Sequence, residues 1–479
     1  MIVMRLNRVR TFLLLAALLP IFFSQRAAAY SLLTHEQIID LTWQDSILPL
    51  LLSQYPNLTQ AQLDRARAYA YGGCVIQDMG YYPFGDLFFS DLTHYVRTGD
   101  FVLALFRNAH NANELAFAVG ALSHYVGDSI GHSEATNLAV PRQFPKLEKR
   151  YGPSVSYAEG KHQHVQVEFA FDINQIVQHH LAPLGYMRHI GIRVPQRQIA
   201  LAFYQTYGLA EKGSRERQFI NMSAYHFATR TFIPRVAYAL ALLHRKHEPP
   251  EPDTPDTIEI EKEAAATEKI CDWDLYRKPA SIETRLLAGL IVILPKVGPL
   301  KLVAIKGPTP TAEAEYMRSL VAATSNMRAR LARFTPQKPE PRPAPAPAYP
   351  MAKLEALNAQ HPLPNRDLDT GVAVKPGGYP LTDSTYAELL HRLAGAPDRP
   401  IPPGIKTDIE EYYSDPNAPI TTKKNKAKWE RVQADLKTLA GMPTSASPAP
   451  YPTYGEASQP SSQTASESPS ATKPDDSNP

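Results

Sequence analysis

The sequence predicts an all-α protein: one large multi-helix domain, a small helical module behind it and a disordered tail. Three observations carry that reading. Residues 30–246 show long apolar periodicities of helical spacing, broken by Gly and Pro, with little of the strict alternation that marks half-buried strands. The helical pattern resumes after residue 262. The chain's 44 prolines gather in its second half, where they mark linkers and tails rather than packed structure. A chain of 479 residues can bury a large core yet exceeds one ordinary domain, so a main domain with accessory regions is expected.

Residues 1–29 read as a signal peptide. Arg5, Arg8 and Arg10 precede the apolar run from Thr11 to Phe23, and Ala27, Ala28 and Ala29 supply small residues for cleavage. An uncleaved anchor is the alternative, but the run is short and Pro20 interrupts it, whereas a span needs about 20 apolar residues. Cleavage between Ala29 and Tyr30 would make an exported protein, secreted or periplasmic, that begins at Tyr30. In an oxidising compartment Cys74 and Cys271 could pair, or stand as two separate thiols. Neither has metal-ligand spacing, so any metal must be held by nitrogen and oxygen.

The main domain spans 30–334. Thr34 followed by Gln37, ahead of Ile38, Ile39 and Leu41, reads as a capping box that places His35 in a first helical turn. The acidic, Pro-rich stretch 247–262 reads as an inserted loop. The apolar run Leu286 to Leu294 is too short to cross a membrane; it reads as a buried helix, with a segment dipping into a lipid interface as the alternative. A Pro-rich linker, 335–350, sets off a helical module of unassigned role, 351–440. Residues 441–479 carry too few large apolar side chains to order themselves. A net charge of +3 with no basic stripe in the first half argues against a stable nucleic-acid partner, and oligomeric state is not readable.

Ten of the fifteen histidines fall between His35 and His189, and several recur with acids at helix-turn spacing. His124, Asp128 and His132 lie four residues apart, within about 80° on one helix face. His164 and Glu168 repeat that spacing. His35, Asp78 and His94 sit among apolar and aromatic residues, where an unpaired polar group is costly. A shared metal site would satisfy them all. His162 competes with His164 for one place, though only His164 has an acid four residues on; His110, His179, His180 and His189 have no matching role.

In that order the residues of roughly 30–172 resemble the zinc-dependent phospholipases C and the related single-strand-specific zinc nucleases. The resemblance implies an all-helical phospholipase C/nuclease-like domain that binds three Zn2+ ions. It implies a first zinc held by Asp78, His94, His124 and Asp128, and a second held by His132, His164 and Glu168. A third would use His35, a bridging Asp128, and the terminal amine and carbonyl of Tyr30. The family usually begins with Trp, not Tyr. Its third central histidine commonly lies six residues beyond the Asp, whereas His132 lies four beyond Asp128, a spacing like that of glycosylphosphatidylinositol-specific phospholipases.

The implied reaction is hydrolysis of a phosphodiester, foremost a phospholipid, by metal-activated water, with Asp78 orienting or deprotonating the water. Transient contact with a membrane surface would accompany a lipid substrate. The alternatives are a single-strand-specific nuclease and a non-catalytic envelope protein in which zinc is structural. The three ligands at the second zinc leave a coordination position open, which argues against the last. Tyr81, Tyr82, Phe84, Phe88 and Phe89 could line an acyl or base pocket, or be core.

Overall fold

A computed structural model describes residues 31–82, 85–209, 222–244, 252–293, 305–334, 363–415 and 419–446. The all-α reading holds: among these residues there is no strand, only two isolated bridges, Arg366 with Ala373 and Ile401 with Thr444. The helices used below are α1 (Leu32–Thr42), α2 (Gln60–Gly73), α3 (Leu87–Tyr95), α4 (Thr98–Arg107), α5 (Ala112–Gly131), α6 (Tyr157–Val177), α7 (Gln196–Tyr207), α8 (Ile233–His244), α9 (Pro255–Ile270), α10 (Ile282–Ile293), α11 (Pro310–Phe334), α12 (Pro380–Ala394), α13 (Pro403–Tyr412) and α14 (Lys426–Gly441). None is long and apolar enough to cross a membrane.

Helix α5 is the axis of the fold. It is buried along most of its 20 residues, and α2, α4 and α11 pack against it. The α2–α5 crossing is unusually close because small residues meet there. A Cβ on Gly73 would stand 2.1 Å from the carbonyl oxygen of Phe117, and one on Gly120 would stand 2.2 Å from that of Ala70. Any side chain at either position would push the backbones apart. The crossing brings the C-terminal end of α2 against the middle of α5, where His124 lies.

Several local expectations change. Helix α1 starts with Ser31 in the N-cap position and no side-chain cap, so Thr34 lies inside it and forms no capping box. The amide and hydroxyl of Thr34 instead donate to Asp172 Oδ1 on α6, at 3.0 and 2.7 Å, and Gln37 donates to Gln175. True capping boxes start α2, from Thr59 and Gln62, and α6, from Ser156 and Glu159. Residues 255–262 of the supposed inserted loop form the first half of α9: the Thr254 hydroxyl caps it, Pro255 opens it, and Asp256 faces the positive end of its dipole. Cys74 is buried and Cys271 half-buried, and the two are separate thiols.

The apolar run behaves differently from the buried helix expected. α10 buries Leu287, Ala288 and Ile291 on the side packed against α8, while Leu286 is 52% exposed, Val292 60% and Ile293 81%. The C-terminal module also departs from a set-off unit. α12 packs on α3 and α13 on α7, and residues 363–374 lie along α3, α4 and α5. Residues 441–446, expected to be part of the disordered tail, are packed on the module: Ser445 donates to the carbonyl of Ile401. The proposed leader (1–29), the linker 335–350 and residues 447–479 lie outside the described residues.

Candidate metal centre

Two groups of buried ligand atoms form beside one another. Asp78, His94, His124 and Asp128 make the first, and His132, His164 and Glu168 the second; within each group the ligand atoms lie within 4.8 Å of one another. The three residues four apart on α5 are therefore divided. His124 and Asp128 point into the first group, while His132, at the turn where α5 gives way to a short π-helix, belongs to the second.

Hydrogen bonds at the back of each ring decide which nitrogen faces inward. His124 Nδ1 donates to the carbonyl of Cys74 at 2.9 Å, the contact set up by the glycine crossing. His94 Nδ1 donates to the carbonyl of Ser90 at 2.8 Å, one turn back on α3. A carbonyl can only accept, so in both rings Nδ1 holds the proton and Nε2 turns a lone pair toward the group. Those two Nε2 atoms are 3.3 Å apart. Asp128 Oδ2 stands 3.3 Å from that of His94 and 3.1 Å from that of His124, with Asp78 Oδ1 at 3.3 and 3.7 Å from the same two atoms.

Four acceptors thus converge in a space without water access, and a cation is what such a set lacks. Ligands bound at about 2.0–2.1 Å around a tetrahedral zinc sit about 3.3 Å from one another, so these separations fit that ion. In the metal-free chain a proton is held instead. Burial alone would depress His94, but hydrogen bonds to Asp128 and Asp78 raise it well above the ordinary imidazole value. Burial likewise pushes Asp128 up, yet His124, His35 and His94 outweigh it and hold the carboxyl well below its usual range.

His35 reaches the same carboxylate from α1. Its Nε2 lies 3.2 Å from Asp128 Oδ1, and its ring stacks on His124 at 4.2 Å. Asp128 therefore turns one oxygen to the first group and the other to His35, the arrangement of a bridging ligand. Asp172, which the sequence reading passed over, fixes this geometry. It accepts from Leu33 and Thr34 in the first turn of α1, and burial raises its pKa to about 6. Its only sequence signal is its place four residues after Glu168. Tyr30 lies outside the described residues.

In the second group His164 uses the opposite tautomer. Nε2 donates to the carbonyl of Val155 at 2.8 Å, and Nδ1 faces Glu168 Oε1 at 3.4 Å. Burial lowers His164 to about 4 and His132 well below the ordinary value, so both are neutral donors at physiological pH. Burial and the neighbouring Asp128 and Asp78 raise Glu168 well above its usual range. His162 is exposed and outside the group.

A carboxylate that no sequence signal flagged completes the surroundings. Asp369, from the C-terminal module, is buried with Oδ1 3.5 Å from His132 Nε2. Phe88 and Phe89 are core, Phe89 stacking on Phe203; Tyr81 packs 5.2 Å from the His94 ring, and Phe84 lies outside the described residues.

Residues 34–214 match the family model described as zinc dependent phospholipase C. That range holds every residue of both groups, and Asp369 lies outside it. No curated protein and no solved structure matches the chain.

Proposed function

Because residues 34–214 belong to the zinc-dependent phospholipase C family, a family of hydrolases, we propose that this protein hydrolyses phospholipid phosphodiesters at the joined groups on α1, α3, α5 and α6. The observation that carries the proposal is the shared carboxylate of Asp128, which turns one oxygen to His94 and His124 and the other to His35. Zinc bound there would lower the pKa of water towards neutrality and neutralise charge on the phosphoryl oxygens.

The chain's own residues set the geometry. The carbonyls of Cys74 and Ser90 fix the two inward Nε2 atoms, and the buried walls exclude bulk water. Asp78 Oδ1 lies 3.3 Å from His94 Nε2 within the first group, a position suited to orienting or deprotonating the attacking water. Export with cleavage after Ala29 would add the amine of Tyr30 beside His35 and make room for a third ion. One turn of chain, Ser31 to Thr34, separates that terminus from His35.

Lipid is favoured over nucleic acid by two surface features. The chain has a net charge of only +3, and α10 presents Leu286, Val292 and Ile293 to solvent, an apolar face suited to a membrane surface. An open cleft of about 430 Å³ runs from the C-terminal end of α6 to Thr284 of α10, lined by Leu181, Leu184, Tyr238 and Leu242. It lies about 12 Å along α6 from Glu168. The test sets a phosphatidylcholine analogue against single-stranded DNA, using the exported protein with its metal content and N-terminus measured. Release of a phosphorylated head group, abolished by a chelator, is expected. Zinc-loaded protein that cleaves DNA and leaves lipid intact would overturn the reading.

A further inference from the structure

We propose that Asp369 is a ligand of the second metal, a fourth protein donor beside His132, His164 and Glu168 that the C-terminal module delivers through Oδ1. This rests on the reading that the two groups bind metal.

The inference begins at His132. Both of its ring nitrogens are buried and neither makes a hydrogen bond among the described residues, whereas the outward nitrogens of His94, His124 and His164 are each anchored by a carbonyl. A buried imidazole left without hydrogen bonds is costly unless a metal takes its lone pair. Asp369 Oδ1 is the acceptor that faces it, at 3.5 Å, close to the separation of two donors on one tetrahedral ion. Oδ2 is held elsewhere: Tyr95 donates to it at 2.9 Å and Tyr379 at 2.6 Å. Two hydroxyls that hold one oxygen and leave its twin facing an imidazole are the usual support of a ligating carboxylate.

The chain around Asp369 is shaped for this placement. Asp367 Oδ1 accepts from the amides of Asp369 and Thr370, forming a tight turn, and Thr382 donates to its other oxygen. The amide of Leu368 donates to the carbonyl of His94, and Asn137 donates to the carbonyl of Asp369. Gly371 adopts φ +69°, and a Cβ there would lie 2.2 Å from the carbonyl of Ser129. The turn therefore rests on the backbone of α5 itself, between the two ligand groups. Asp369 approaches the trio from the His132 side, so binding draws its carboxylate inward towards the ion.

A fourth donor changes the character of the second site. Three protein ligands leave a coordination position open, whereas four make the closed set typical of a structural zinc.

The test measures zinc per chain and the affinity of each site by chelator competition, in the full exported protein and in Asp369→Asn, Asp369→Ala and Asp369→Glu. Asp369→Asn and Asp369→Ala should weaken one site at least tenfold and leave the others unchanged, and Asp369→Glu should recover part of the loss. In the cobalt-substituted proteins the visible bands of that same site should change shape. A crystal structure of zinc-loaded wild-type protein should place Oδ1 about 2.0–2.2 Å from the ion, which decides the matter even if the variants fold poorly. Equal affinity and unchanged bands in all variants, or an ion with Asp369 out of reach, would overturn the proposal alone. Wild-type protein that takes up no metal would sink the functional reading and this one with it.

Discussion

Residues 34–214 and residues 363–446 meet at one buried site, yet only the first declares itself. In the first region the donors come in pairs four apart on α5 and α6, because one helix turn is the distance over which two side chains can share an ion. In the second the contribution is a single aspartate in a turn, placed by the Leu368 amide donating to the carbonyl of His94 and the Asn137 side chain donating to the carbonyl of Asp369. Periodic elements write their function into spacing. Turns write it into contacts, and these become visible only when the chain is folded.

The largest expected effect lies in the first region. Asp128→Asn removes charge from the oxygens that face His35, His94 and His124, so metal affinity should fall more than 100-fold, beyond the 10–100-fold typical of a supporting residue; zinc per chain and hydrolysis rate should drop together. A variant that keeps its metal would separate Asp128 from the site.

Gly120→Val attacks the scaffold instead of a donor. Its Cβ meets the Ala70 carbonyl at 2.2 Å, so α2 and α5 must part, at a cost of about 3 kcal/mol or more. Thermal unfolding should come roughly 6–12 °C earlier, and zinc affinity should fall because the Cys74 carbonyl withdraws from His124. An unchanged melting curve would mean that the crossing yields more easily than its geometry implies.

Acid should act in opposite directions on one buried side chain from each region in the metal-free chain. His164 stays neutral down to about 4 when folded but accepts a proton near 6.5 when unfolded. Its contribution is therefore full above pH 6.5 and is lost as the pH falls towards 4, by up to about 3 kcal/mol. Asp408 on α13 is the reverse case. Burial, partly opposed by Arg97, raises it to about 6, so its contribution is present below about 4 and is lost as the pH rises through 6. Between pH 6.5 and 4, amide exchange should quicken around His164 and slow around Asp408; parallel changes in both would break the contrast.

The smallest effect belongs to the surface. Leu286→Ser, on the exposed face of α10, should shift stability by no more than about 0.5 kcal/mol while weakening binding to phospholipid vesicles in a flotation assay. Undiminished vesicle binding would move the lipid contact elsewhere.

Much of this was legible in the sequence, for reasons that can be named. The helical class followed from periodicity, and the sequence placed together the seven residues that the fold gathers into two groups. What was misread shares one cause, the dependence of local structure on a partner. Thr34 abandons its cap because Asp172 offers better acceptors across the domain. The stretch 255–262 looks like a loop until Thr254 and Pro255 are seen to start a helix with residues further on. The half-bare face of α10 could not be told from a buried one, since an apolar run does not say which side meets α8. Asp369 had no pattern to be read from.

The position of Asp369 also sets an order in time. Glu168 and Asp369 are 201 residues apart in the chain, so at about 5–20 residues per second the ribosome needs roughly 10–40 s to pass from one to the other. During that interval the seven inner donors exist without the turn that later covers them. A nascent chain therefore has a window in which an ion can enter unhindered, and a finished chain stripped of metal must open that turn to be refilled. Reloading a mature apoprotein should be slower than loading it during coupled synthesis.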